Sequence, residues 1–353
     1  MIKTLNSLRF ILILMIMISH SSLPISDGVK AYLGECPVAI FFVISGFVLS
    51  LSYGERLQSE EVSNKKFFLS RVFKIYPLHL LIIAILLPMD WRLGQLKPWY
   101  QVLAHATLLQ CWLPTHSFVA ALNGSTWFIS DIIFFYLVFK WLYCWIKSKS
   151  WLQVISVMGI YMGGYVFLTL MVSEDYSAGY IYCFPLFRIV DFSLGILLYR
   201  FYLTQRSKKW IEHITSFSEN VISNIADILL IVMMIGLCLL SVHINPNFRC
   251  AALYWLPSMI VVFYVAVYDK SNHWLTLVLH NRQLLWLGSI SFELFLCHGL
   301  ILRIVQSVFL RIYGENIPYL GSQFMITLCL SILVAWLSKK YVVEPCYGQL
   351  KKR

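Results

Sequence analysis

Eleven predominantly apolar stretches run through this sequence, at 8–23, 38–53, 75–91, 100–113, 127–146, 152–172, 184–202, 225–242, 251–268, 284–310 and 320–337. About 20 apolar residues is the length at which an α-helix crosses the hydrocarbon of a bilayer, where no backbone N–H or C=O can stay unpaired. A soluble globule has no interior large enough for so many. The charged fraction, 13%, is about half the roughly 25% of an average soluble protein. The sequence therefore predicts an all-α fold, a polytopic transmembrane helix bundle, with residues 1–353 forming one membrane domain. No linker, low-complexity tract or internal repeat divides it.

The stretch at 100–113 is short and carries His105 and Gln110, and the basic residues decide whether it crosses. Short cytoplasmic loops collect Lys and Arg. If 100–113 does not cross and the N-terminus is cytoplasmic, 20 of the 28 basic residues fall inside and four, Lys30, Arg92, Lys97 and Arg249, fall outside. If it crosses, everything after it inverts and the basic tail moves outside. The expectation is ten spans, both termini cytoplasmic, with 92–125 an external excursion for which the sequence leaves re-entry into the membrane open. The basic surplus of +11 is then a matter of loops, and nucleic acid is excluded as a partner.

The opening MIKTLNSLRFILILMIMISH has a basic start and an apolar run, but no small-residue cleavage site follows, so it reads as a retained first helix. The nine cysteines contain no C-x-x-C pair and no histidine cluster accompanies them, which leaves them as packing residues and implies no metal site. No G-x-S-x-G, P-loop, H-E-x-x-H or dinucleotide fingerprint is present.

Ionisable groups inside spans are costly and therefore point to a site. Arg9 and His20 are eleven residues apart, which on a helix is three turns plus about 20°, so they share a face roughly 16 Å apart. Arg9 is expected at the cytoplasmic mouth and His20 well within the bilayer. A guanidinium there suits a phosphate, and an imidazole can accept a proton near neutral pH. Arg71 and Lys74, in FFLSRVFKIYPLH, lie on one face of the third span and together could grip a polyphosphate. Trp127 and Asp131 are at i and i+4 in NGSTWFISDIIFFYL, Arg188 and Asp191 at i and i+3 in FRIVDFSLG, where an internal ion pair is the favoured reading. Ser291 and His298 are seven apart on one face in GSISFELFLCHG, with Glu293 on another, and Glu344 in YVVEPCYG is placed to neutralise a cation. Each has an ordinary explanation when taken singly: a snorkelling Arg, a hydrogen-bonded core His, positive-inside anchoring.

Taken in order, SLRF with His20, FFVISGFVLS, RVFKIYPLH, TWFISDIIFFYL, FRIVDFSLG, GSISFELFLCH and VEP resemble the membrane-bound acyltransferase 3 family nearly end to end. Its members are bacterial O-acyltransferases that modify surface glycans, lipids or small acceptors. The resemblance implies ten spans with both termini inside, a multi-pass protein of the bacterial inner (plasma) membrane, and a catalytic histidine separated by ten residues from an arginine before it, matched by His20 and Arg9. The family's paired-arginine motif falls on Arg71 and Lys74, and the Lys is a departure that bears on donor affinity. A second departure is Ile132, where the family often has an acid; Asp131 is one residue earlier. The extracytoplasmic esterase-like domain of some members is expected to be missing.

The resulting expectation is an O-acetyltransferase. It would take acetyl, or another acyl group, from cytoplasmic acyl-CoA to a hydroxyl of a surface glycan or lipid-linked sugar. Arg9, Arg71 and Lys74 would hold the donor phosphates, and His20 would deprotonate the acceptor or be transiently acylated. Asp131 would orient His20 or the acceptor, and Trp127 would stack on a sugar. Ser291, His298, Arg188, Asp191 and Glu344 rank as acceptor-binding or supporting groups. Acyl-CoA is a co-substrate, no cofactor or metal is bound, and the remaining partners are membrane lipids. The alternative is a flippase-like transporter of glycan, lipid-linked sugar or a small anion, whose pathway the same polar groups would line.

Overall fold

The computed structural model describes residues 2–113, 115–173, 177–204, 208, 221–250, 252–314 and 319–351. Of the basic residues counted above, Arg206, Lys209, Lys352 and Arg353 lie outside the described residues. Among the described residues, ten helices are long and apolar enough to cross a membrane. Their regular cores are α1 (Lys3–His20), α2 (Asp27–Leu49), α3 (Asn64–Arg92), α4 (Trp127–Ser148), α5 (Trp151–Met171), α6 (Pro185–Tyr202), α7 (Val221–Ser241), α8 (Trp255–Val267), α9 (Ser291–Tyr313) and α10 (Leu320–Ser338). Local chemistry sets several starts. Ser63 caps α3 by accepting from the Lys66 N–H, Ser150 and Gln153 form a capping box on α5, and Pro185 opens α6 where its missing N–H costs nothing.

The core is centred on α2, whose Ala39, Phe42, Val43, Ile44 and Phe47 are wholly buried. It crosses α6 closely enough that a Cβ on Gly46 would collide with the Phe192 carbonyl and one on Gly195 with the Val43 carbonyl. Such small-residue crossings are how helices approach in lipid, where no hydrophobic force drives them together. On α5, α7 and α10 large apolar side chains such as Ile160, Leu239 and Leu333 stay exposed, the surface that a bilayer covers.

Three features differ from the apolar pattern. α1 begins at Lys3, not 8, because its polar first turns are satisfied by neighbouring backbone: Thr4 Oγ1 donates to the Val265 carbonyl (2.8 Å), Asn6 Nδ2 to Leu285 (2.9 Å) and Ser7 Oγ to Leu279 (2.5 Å). The apolar run 284–310 is two helices, Arg282–Ser289 and α9. Asn281 caps the first, and Gly288 lies so tightly on the Asn6 carbonyl of α1 that only glycine fits.

The third is the excursion between α3 and α4. Its helix spans only Trp99–Ala106 and does not cross. It dips into the bundle, where Tyr76 Oη donates to the Ala106 carbonyl (2.5 Å), His79 Nε2 to His105 (2.8 Å) and Ser130 Oγ to Leu108 (2.6 Å). His79 is 13 residues from the Arg92 end of α3, about 20 Å along the axis, so the segment is re-entrant. Such irregular backbone is tolerated at depth only because protein surrounds it. Buried His105 donates Nε2–H to the Phe118 carbonyl (2.7 Å), and burial pushes its pKa down to about 4 from 6.5. A neutral folded imidazole that would ionise when unfolded stabilises the segment above pH 6.5, and that stability is lost as pH falls toward 4. Amide protection factors across 99–126, taken relative to the intrinsic exchange rate at each pH, are expected to fall between those limits, and a His105→Gln variant to lose that pH dependence.

Candidate active site

Two cavities open on opposite ends of the bundle. The proximal one, of about 440 Å³, lies at the end where α1 begins and the chain finishes. It is lined by Arg9, Arg71, Lys74 and Lys339 against Glu293 and Glu344, an excess of positive charge suited to a polyanion. Because α1 starts early, Arg9 is two turns inside the helix and forms part of the cavity wall instead of its mouth. Arg71 stacks over Tyr53 (4.6 Å), leaving a buried Nε without a partner, and Lys74 sits over Tyr347 (4.5 Å). Lys339 Nζ is anchored on the Ser289 carbonyl at 2.7 Å. Deeper walls are apolar: Ile13, Phe41, Phe128, Ile132 and Phe295.

The distal cavity, of about 220 Å³, is lined by His20, Asn123, Ser125 and Arg303 among smaller and apolar groups. His20 ends α1 and is exposed, so it sits at the far mouth, not in the middle of the span. Its partner comes from α9: His20 Nδ1 lies 3.1 Å from His298 Nε2, with the rings 5.3 Å apart and nearly parallel. The hydrogens of this chain follow from its end. His298 Nδ1 is 2.6 Å from the Phe295 carbonyl, which only accepts, so Nδ1 carries the proton and His298 Nε2 presents its lone pair. His20 Nδ1 must then donate to it, which leaves His20 Nε2 unprotonated and able to accept a proton or attack an acyl carbon. Arg303 is neutralised by the buried carboxylate of Asp90. Asn123 is fixed by donating Nδ2 to the Leu296 carbonyl at 3.2 Å.

The expected site residues thus divide. Arg9, Arg71, Lys74, Ser291 and Glu344 share the proximal cavity, and His20 pairs with His298 beside the distal one. Glu344 closes no ion pair among the described residues and stands exposed on the rim. Trp127 and Asp131 line neither cavity. Trp127 packs on Tyr182 (4.6 Å), and Asp131, wholly buried, has Arg188 and Asp191 as charged neighbours. Along α4 the proximal cavity takes Phe128, Ile132 and Tyr136, one helix stripe, so Asp131 is turned about 100° away. Arg188 and Asp191 are a fully buried ion pair at 3.6 Å, with Arg188 also donating to the Cys250 carbonyl (3.1 Å), a bracing role between helices.

Sequence reasoning missed Lys339, Asn123, Ser125, Arg303 and Asp90. Arg303 and Asp90 carried a usable signal, a cation and an acid inside apolar helices. Lys339 did not, since a Lys after the last span is the ordinary positive-inside pattern.

The acyltransferase 3 family, described as an acyltransferase domain, matches residues 2–336. An acyltransferase of Streptomyces mycarofaciens, MdmB, is 25% identical over 346 residues, covering 91% of this chain and 83% of the relative. No solved structure matches. With ten helices fit to cross a membrane and a family match that runs almost end to end, the chain belongs to the acyltransferase 3 family and is a multi-pass membrane acyltransferase.

Proposed function

We propose that this protein is an O-acetyltransferase that moves an acyl group from acyl-CoA, held in the proximal cavity, to a hydroxyl of a glycan or lipid-linked sugar presented to His20. The observation that carries the reading is the His20–His298 pair at the distal cavity, with a cation-lined cavity opening at the other end of the bundle. The loop charges support a cytoplasmic proximal face, the side on which acyl-CoA is available. In a bacterium the membrane concerned is the inner one.

Arg9, Arg71, Lys74 and Lys339 bind the donor phosphates, and the thioester reaches inward along Ile13 and Phe295. His20 Nε2 takes the proton of the acceptor hydroxyl as its oxygen bonds to the acyl carbon. The C–S bond breaks, and the thiolate leaves and takes up a proton to become CoA thiol. If the imidazole itself is first acylated, the same nitrogen is the nucleophile and releases the acyl group to the hydroxyl in a second step. His298 supports the imidazolium or acyl-imidazole through its Nε2 lone pair.

The test is transfer of labelled acetyl from acetyl-CoA by purified protein in bilayer discs, with Arg71→Ala beside the wild type. Loss of a charged phosphate contact costs about 1.5–3 kcal/mol, so KM for acetyl-CoA is expected to rise by roughly 10- to 100-fold. An unchanged KM removes Arg71 from the donor site.

A further inference from the structure

The wall between the two cavities is thin. On the α4 side, Ser125 lines the distal cavity and Phe128 the proximal one; on α9, Phe295 lines the proximal and Gly299 the distal. Those separations of three and four residues amount to only about 5–6 Å of helix. On α1, Ile13 and His20 are seven positions apart, so the cavities approach each other at α4 and α9. The layer there is aromatic. Phe128 and Phe295 meet edge to face with centroids 5.0 Å apart, both buried. Phe128 is backed by Phe42 at 4.7 Å and Phe41 at 5.9 Å, and Phe295 rests on the His298 ring at 5.7 Å. The proximal cavity therefore changes character with depth, from cations at its rim to a closed apolar end one ring away from the histidine pair.

We propose that the Phe128–Phe295 pair is an acyl-selecting partition. It rests on the reading of the proximal cavity as the donor site, and it names what that site accepts: a short acyl chain. The apolar end accommodates the acyl group while the phosphates stay at the cations, and the two rings leave no length for additional methylenes. They also keep distal water from the thioester, so that the acyl carbon meets a hydroxyl held at His20 and not bulk solvent. Where the partition fails, water attacks instead: its oxygen bonds to the acyl carbon, the C–S bond breaks, and CoA thiol and a carboxylic acid are released with the proton.

Phe295→Ala and Phe128→Ala open the layer, and Phe295→Leu and Phe128→Leu loosen it with a smaller loss of packing. Two readings are taken on purified protein in bilayer discs: CoA thiol released from acetyl-CoA without acceptor, and the kcat/KM ratio of butyryl-CoA to acetyl-CoA with acceptor. An apolar pocket discriminates by roughly 10-fold or more per methylene. The alanine variants are expected to raise the butyryl-to-acetyl ratio by at least about 10-fold, with the leucine variants between, and to release thiol without acceptor faster than wild type. Alanine or leucine variants that keep the wild-type acyl preference and acceptor-dependent thiol release overturn the partition. A wild type that neither binds nor turns over any acyl-CoA overturns the donor reading itself, a distinct result because it is seen before any substitution.

Discussion

His20→Ala is expected to lower acyl transfer by about three orders of magnitude, the middle of the range a positioned general base supplies, while membrane insertion stays at the wild-type level. His20 is the last residue of α1 and is exposed, so removing its ring leaves no cavity in the packed interior. What disappears is the one ring nitrogen that the chain from the Phe295 carbonyl through His298 leaves free to accept a proton. His298→Gln is expected to fall between, since an amide can still accept a hydrogen bond from His20 Nδ1 but cannot share the imidazolium charge. Both are measured as acetyl transferred per mole of protein in membranes, with the amount inserted read from a C-terminal fluorescent tag. A His20→Ala protein with near-normal transfer would remove the histidine from the chemistry.

Gly46→Leu and Gly195→Leu are expected to leave almost no folded protein. The two glycines face each other's helices reciprocally, and even one added carbon at either meets a backbone carbonyl, Phe192 or Val43, that no side-chain rotation can move aside. Overpacking costs about 1–3 kcal/mol where side chains can adjust, and here whole helices would have to separate. Separation would also pull apart Phe47 and Tyr199, packed edge on at 5.8 Å. The expected readout is loss of the monodisperse peak on size exclusion after mild detergent extraction, with Gly236→Leu, which meets nothing within 4 Å, keeping it. A Gly46→Leu protein with the wild-type elution profile and melting curve would contradict the close crossing.

Hydrophobic length found the ten long helices of the described residues, and the basic residues identified the eleventh stretch as an excursion, because a spanning segment has to satisfy two independent constraints at once. What length could not give was where helices begin. Thr4, Asn6 and Ser7 look like a polar leader, yet carbonyls from residues 265 to 285 absorb their hydrogen bonds. Arg9, Arg71 and Lys74 were legible because clustered cations on helix faces have few uses in a membrane. The pairing of His20 with His298, 278 residues apart in sequence, was not, since helix spacing describes only neighbours on one helix. That Asp131 and Trp127 line neither cavity was not legible either, for a related reason. Which stripe of α4 meets a cavity depends on how α4 rolls against α2, α3 and α6, and one residue of register turns a side chain through about 100°.

An acyl group that enters at the cationic cavity and leaves at the histidine on the opposite face gives the reaction a fixed sidedness. Protein is reconstituted into sealed vesicles in one orientation, with membrane-impermeant labelled acetyl-CoA on one side and a glycan acceptor on the other. Label should appear on the acceptor when acetyl-CoA faces the Arg9 cavity and the acceptor faces His20, and vanish when the two are exchanged. Label appearing only when donor and acceptor share a compartment would contradict transfer across the bundle.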